Sequence, residues 1–135
     1  MINFLLKNPS FYRLYQKTVR GKYDEYDFFK FIFKQEKFKD IRMLDICCGD
    51  SHVLEYVNKF LDDYLGIDNN EKYLRQCKER WSSFNFLKLD LNDTQNINKL
   101  LKFKPNFIFI NGAIHHLDDK TIKSINLFIE NNFPD

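Results

Sequence analysis

Four short apolar runs, each closing on a small or polar residue and each followed by helically spaced apolar positions, limit what this chain can fold into. Arg42 to Ile46 runs into Cys47-Cys48-Gly49-Asp50, and Tyr64-Leu65-Gly66-Ile67 closes on Asp68. Phe84 to Leu89 closes on Asp90, and Asn106 to Ile110 closes on Asn111. Between them, Val53, Leu54, Val57 and Leu61 mark one helix face. Asn70 caps a helix with Tyr73, Leu74, Cys77 and Trp81 inward, and a short helix carries Ile97, Leu100 and Leu101. Asp118 or Asp119 caps a last helix with Ile122, Ile125 and Ile129 inward. Strands alternating with helices form βαβ units, hence a mostly parallel sheet with right-handed crossovers. The expected α/β domain spans 40–135.

Residues 1–39 read as an N-terminal helical cap. Asn8 caps a first helix with Pro9 in its first turn, Phe11, Leu14, Tyr15 and Val19 on one face, and Gly21 at its end. A second stretch, from Asp24 to Lys37, is crowded with aromatics. Fifteen Phe and seven Tyr in 135 residues provide a large core. They also make residue frequency a poor guide, so spacing carries the argument.

Net charge is +2 with the signs interspersed, which gives no basic stripe for nucleic acid. No apolar run is long enough for a membrane span, and Met1 to Leu6 is too short for a secretory signal. Cys47, Cys48 and Cys77 read as free thiols, which implies a cytoplasmic setting. The adjacent cysteines, and the adjacent His115 and His116, lack the spacing of metal ligands, so no metal is expected.

In a parallel α/β sheet, ligands sit beyond the carboxyl ends of the strands. Asp45, Asp68, Asp90 and Asn111 stand at four successive ends and so converge on one crevice. Leu44 to Ser51 then looks like the first motif of class I S-adenosylmethionine-dependent methyltransferases. That motif has an acidic residue followed by small residues at alternate places, where the backbone approaches the ligand closely. Asp68-Asn69-Asn70 with Leu74, then Asp90, then Asn111 to Leu117 resemble the later motifs in order, over about residues 40 to 130.

The resemblance implies a Rossmann-like three-layer sandwich with strand order 3-2-1-4. It implies S-adenosylmethionine as cofactor, held by Asp45, Cys47, Gly49, Asp68, Asn69, Asp90, Leu91 and Asn111. Asp68 would take the ribose hydroxyls and Asp90 the adenine amino group. By position and chemistry His115 or His116 is a candidate general base, the alternative being a loop-fixing role, since in the resembling family the second histidine is often structural. Tyr12, Tyr15 and Arg20 lie where the family's helices often lid the cofactor, the alternative being that they pack in the core. Cys47 and Ser51 stand where the family has glycines, and neither reaches positive φ as freely. The dinucleotide fingerprint G-x-G-x-x-G fails, because only Gly49 is present.

The expected activity is in-line methyl transfer to a small-molecule acceptor. The alternative is a non-catalytic module binding S-adenosylmethionine or S-adenosylhomocysteine. Only four of the family's seven strands are legible, the later ones being apparently absent. The apolar fourth strand would then offer an open edge for self-association.

Overall fold

The apolar run after residue 41 becomes the middle of the sheet. The structure is a computed structural model that describes Phe29, Phe31, Phe33, Lys34 and residues 39–132. Strand β1 (Arg42–Ile46) pairs in parallel with β2 (Asp63–Asp68) on one side and with β4 (Phe107–Ile110) on the other. Strand β3 (Asn85–Lys88) pairs in parallel with β2. The order is β3-β2-β1-β4, as expected, and the direction of sheet growth reverses at β1.

Because side chains alternate along a strand, each strand feeds two layers. Met43, Tyr64, Phe86, Phe107 and Phe109 face one side. There they meet Leu54 and Val57 of α1 (Leu54–Val57) and Leu74 and Cys77 of α2 (Glu71–Arg80). Phe29 and Phe33, both helical, pack edge-on against Phe109 and Phe107, with centroids 5.2 and 5.0 Å apart. Leu44, Ile46, Ile67, Ile108 and Ile110 face the other side. They meet a 3-10 segment (Thr94–Phe103) and α3 (Asp119–Asn132). No described helix is long and apolar enough to cross a membrane.

Three helices differ from the expected pattern. The helix face read through Leu61 stops early: α1 ends at Val57 and a 3-10 turn (Asn58–Phe60) follows. Asn58 N and Asn58 Nδ2 both donate to Leu54 O, so this residue closes the short helix with its backbone and its side chain. In the 3-10 segment, Ile97 and Leu100 are buried but Leu101 is 38% exposed. At three residues per turn, positions i and i+3 eclipse, and Leu101 rotates outward.

In α3 the buried face is Thr121, Ile125 and Phe128, while Ile122 and Ile129 are half-buried. Thr121 draws the helix round. Its hydroxyl lies 3.1 Å from Asn92 Oδ1 and 3.5 Å from Leu91 O in the loop after β3. Asp118 is the cap, accepting from Thr121 N at 2.7 Å. The expected first helix, with Tyr12, Tyr15 and Arg20, lies outside the described residues.

The amino ends of the strands are stapled. Arg42 N donates to Asn106 Oδ1 at 2.8 Å, Asn106 Nδ2 to Asp40 O at 2.8 Å, and Arg42 pairs with Asp63 at 3.7 Å. The carboxyl ends are left to open.

Candidate functional site

The loop leaving β1 has an unusual backbone. Cys47, Gly49 and Ser51 sit at alternate positions with φ of +58°, +55° and +52°. Left-handed backbone at two non-glycine residues is strained, so the surroundings must hold it. Cys48 N donates to Ile67 O at 2.9 Å, Ser51 N to Cys48 O at 2.8 Å, and Gly49 N to Asp68 Oδ2 at 2.9 Å. The other Asp68 oxygen accepts from Asn70 N at 2.7 Å. Asn70 in turn caps α2, accepting from Lys72 N at 3.0 Å. One carboxylate therefore ties the β1 loop to the start of α2.

A second set of contacts lies beneath the loop, on the α2 side. Asp45 is buried, and its Oδ2 accepts from the Tyr64 hydroxyl at 2.5 Å. That hydroxyl also lies 3.1 Å from Ser51 Oγ. Cys77 Sγ reaches Gly49 O at 3.5 Å and Ser51 Oγ at 3.6 Å. Burial pushes the Asp45 carboxyl up to about 7; the Tyr64 hydrogen bond opposes this, and repulsion by Asp68 and Asp50 adds to it. Burial likewise pushes the Cys47 thiol up to about 12 and Cys77 up to about 11. All three cysteines are free thiols; Cys48 and Cys77 are buried as small packing groups, and Cys47 is half-buried.

Above the loop is a solvent-open crevice of about 1170 Å³ at the carboxyl ends of the strands. Of the residues picked out from sequence, Cys47, Gly49, Asp68, Asn69, Asp90, Leu91, Asn111 and His116 line it. Asp45 and His115 do not: Asp45 is turned under the loop, and the His115 ring lies tilted at 44° to that of His116, with centroids 3.9 Å apart. Asp90 accepts from Asn92 N at 3.0 Å, a turn that holds its carboxylate at the crevice edge. Gly49 and Gly112 both have positive φ, and a side chain placed on either would meet no atom within 4 Å. Their bare backbones face open space, which is what close approach of a ligand requires. Among the described residues no group of three or more His, Cys, Asp or Glu side chains could hold a metal ion.

Two residues important to this arrangement escape a reading of the sequence. A β-carbon on Gly66 would lie 2.9 Å from Cys48 Sγ, 2.9 Å from the Phe86 ring and 3.0 Å from Tyr64 Cε1. Gly66 is the gap through which Tyr64 and Cys48 meet under the loop. In sequence, both Gly66 and Tyr64 look like ordinary members of an apolar strand.

No protein-family model and no curated protein matches the sequence. Solved structures do match the fold. An S-adenosylmethionine-dependent methyltransferase from Clostridium acetobutylicum is 18% identical, with TM-score 0.70 over 91% of this chain and 52% of that one. A SAM-dependent methyltransferase from Corynebacterium glutamicum is 17% identical, with TM-score 0.62 over 93% of this chain and 68% of that one. An amino pentose methyltransferase from Micromonospora echinaspora, solved with SAM bound, is 13% identical, with TM-score 0.62 over 88% of this chain and 51% of that one. The chain thus spans about half to two thirds of the length of these structures.

Proposed function

We propose, from the class I S-adenosylmethionine-dependent methyltransferase fold that this chain has, that the crevice binds S-adenosylmethionine and that the protein transfers its methyl group to a small-molecule acceptor. The observation that carries the reading is the meeting of Asp68, Asp90, Asn111 and the bare backbone of Gly49 in one crevice. These are the groups that a nucleoside joined to an amino acid needs. An acceptor-only carboxylate suits the ribose hydroxyls, and unobstructed backbone suits the amino-acid part. Asp90 and Leu91 would border the adenine, and Asn69 the ribose edge.

The cofactor would supply a sulfonium-activated methyl group, so the protein's task is to bind and align. Asp68 orients the ribose side while fixing the β1 loop. Asn111, Gly112 and His116 form the opposite wall, where an acceptor would enter. His116 is exposed there and can take a proton from an acceptor hydroxyl or amine. The small-molecule acceptor is supported by the mixed charge of the chain, and by the amino pentose acted on by one protein of the same fold.

Titration with S-adenosylhomocysteine by calorimetry tests the binding half of the reading. Transfer of labelled methyl into a small-molecule extract tests the catalytic half. Binding without transfer leaves the non-catalytic module.

A further inference from the structure

We propose that Tyr64 is a positioning residue, whose hydroxyl fixes the 47–51 loop in the form that receives the cofactor without touching the cofactor itself. The proposal rests on the cofactor reading above. Tyr64 is fully buried and does not line the crevice. Its hydroxyl joins the two ends of the loop, bonding Asp45 in β1 and Ser51 six residues later. Ser51 is itself fully buried and left-handed, and so is strained unless held. The position of the hydroxyl is set by packing: the ring lies against Phe84 and Phe86 at 5.5 and 5.7 Å and passes beside Gly66. Cys77 of α2 completes the support by reaching Gly49 O and Ser51 Oγ. A rigid aromatic stem from the neighbouring strand thus substitutes for the glycines that the loop lacks.

The arrangement has a signature that packing alone does not. Asp45 faces Tyr64 and Asp68 from β2, Asp50, Cys47 and Cys48 from the loop, and Cys77 from α2. Of these, Tyr64 is the group that favours its ionised form. The bridge is strongest when Asp45 is charged, because charge-assisted hydrogen bonds are stronger than neutral ones. Cofactor affinity should therefore fall as pH drops through the Asp45 titration. Loss of the hydroxyl should move that midpoint upward.

The test compares Tyr64→Phe with wild type in the 135-residue chain, using S-adenosylhomocysteine as probe across pH 6 to 9. Amide exchange at Gly49 and Ser51 is followed in the ligand-free protein. The variant should bind about tenfold more weakly, since a hydrogen bond to a charged group is lost. Both amides should exchange faster, and the pH midpoint should rise. Unchanged exchange overturns the proposal. So does an unchanged dissociation constant or an unmoved midpoint in a pair of proteins that both bind. If wild type does not bind the probe, the cofactor reading fails, and exchange alone decides whether Tyr64 holds the loop. Ser51→Ala cuts the other end of the bridge and should loosen the same amides if Tyr64→Phe does not fold.

Discussion

Gly49 donates its backbone N–H to Asp68 Oδ2 across 2.9 Å, which ties the loop after β1 to the end of β2. The same carboxylate accepts from Asn70 and faces the crevice. Asp68→Ala removes both the proposed ribose acceptor and this tie. S-adenosylhomocysteine binding should weaken by about 2 to 4 kcal/mol, as expected for two charge-assisted hydrogen bonds. Calorimetry beside a melting curve measures it; unchanged affinity in a folded variant refutes the ribose assignment.

Cys47 holds φ of +58° with its side chain only half-buried. A left-handed non-glycine residue costs about 1–2 kcal/mol, and glycine's greater freedom when unfolded costs back about 0.4–1 kcal/mol. Cys47→Gly should therefore leave stability unchanged or raise it slightly, and should bind S-adenosylhomocysteine at least as tightly. Cys47→Val, β-branched at the same φ, should lower stability by about 1–3 kcal/mol. In urea melts Cys47→Gly should fall at or slightly above wild type, and Cys47→Val below it.

Gly66→Ala forces a methyl to 2.9 Å from Cys48 Sγ and from the Phe86 ring. Overpacking of this kind costs about 1–3 kcal/mol. A second change, Cys48→Ala, should restore part of the loss, because the two sites share one contact. Strict additivity in the double variant would place the clash elsewhere.

Asp45 makes stability depend on pH in a defined direction. Its folded value of about 7 lies above the ordinary 3.8 because burial penalises the charge. Below 3.8 the carboxyl is neutral in both states, and no charge is buried. As pH rises from 3.8 to about 7, the unfolded chain loses the proton and the native chain keeps it, so stability falls through that window. At about 1.4 kcal/mol per unit the loss is a few kcal/mol. Asp45→Asn does not titrate, so its stability relative to wild type should increase between pH 4 and 8. A difference that stays flat with pH would mean that Asp45 is solvated.

Much of this could be read in the chain. The strand order follows from the resemblance of the ordered motifs; the cap at Asn70 and the crevice positions of Asp68, Asp90 and Asn111 follow from local patterns, since a strand end and a helix start lie within a few residues of each other. Tyr64 and Gly66 could not be read the same way. Their roles depend on which residues of β1, β3 and α2 lie beside them, and the parallel register sets that: Asp45 faces Gly66, and Gly66 faces Phe86. Asp45 has the expected residue type at the expected place, but the Tyr64 hydroxyl draws it under the loop instead of into the crevice. Leu61 and Leu101 depart from the pattern for a different reason: the backbone tightens to 3-10 turns, so Leu61 meets the core from beyond the helix and Leu101 turns outward.

The reversal of sheet growth at β1 also bears on what each side of the crevice costs to assemble. Met43 pairs with Tyr64 on one side and with Phe107 on the other, spans of 21 and 64 residues along the chain. Closing the longer span costs more chain entropy before any contact repays it. The wall carrying Asp68 rests on the shorter closure, between β1 and β2. The wall carrying Asn111 and His116 depends on the most distant pairing among the described strands, so it carries the larger closure cost of the two.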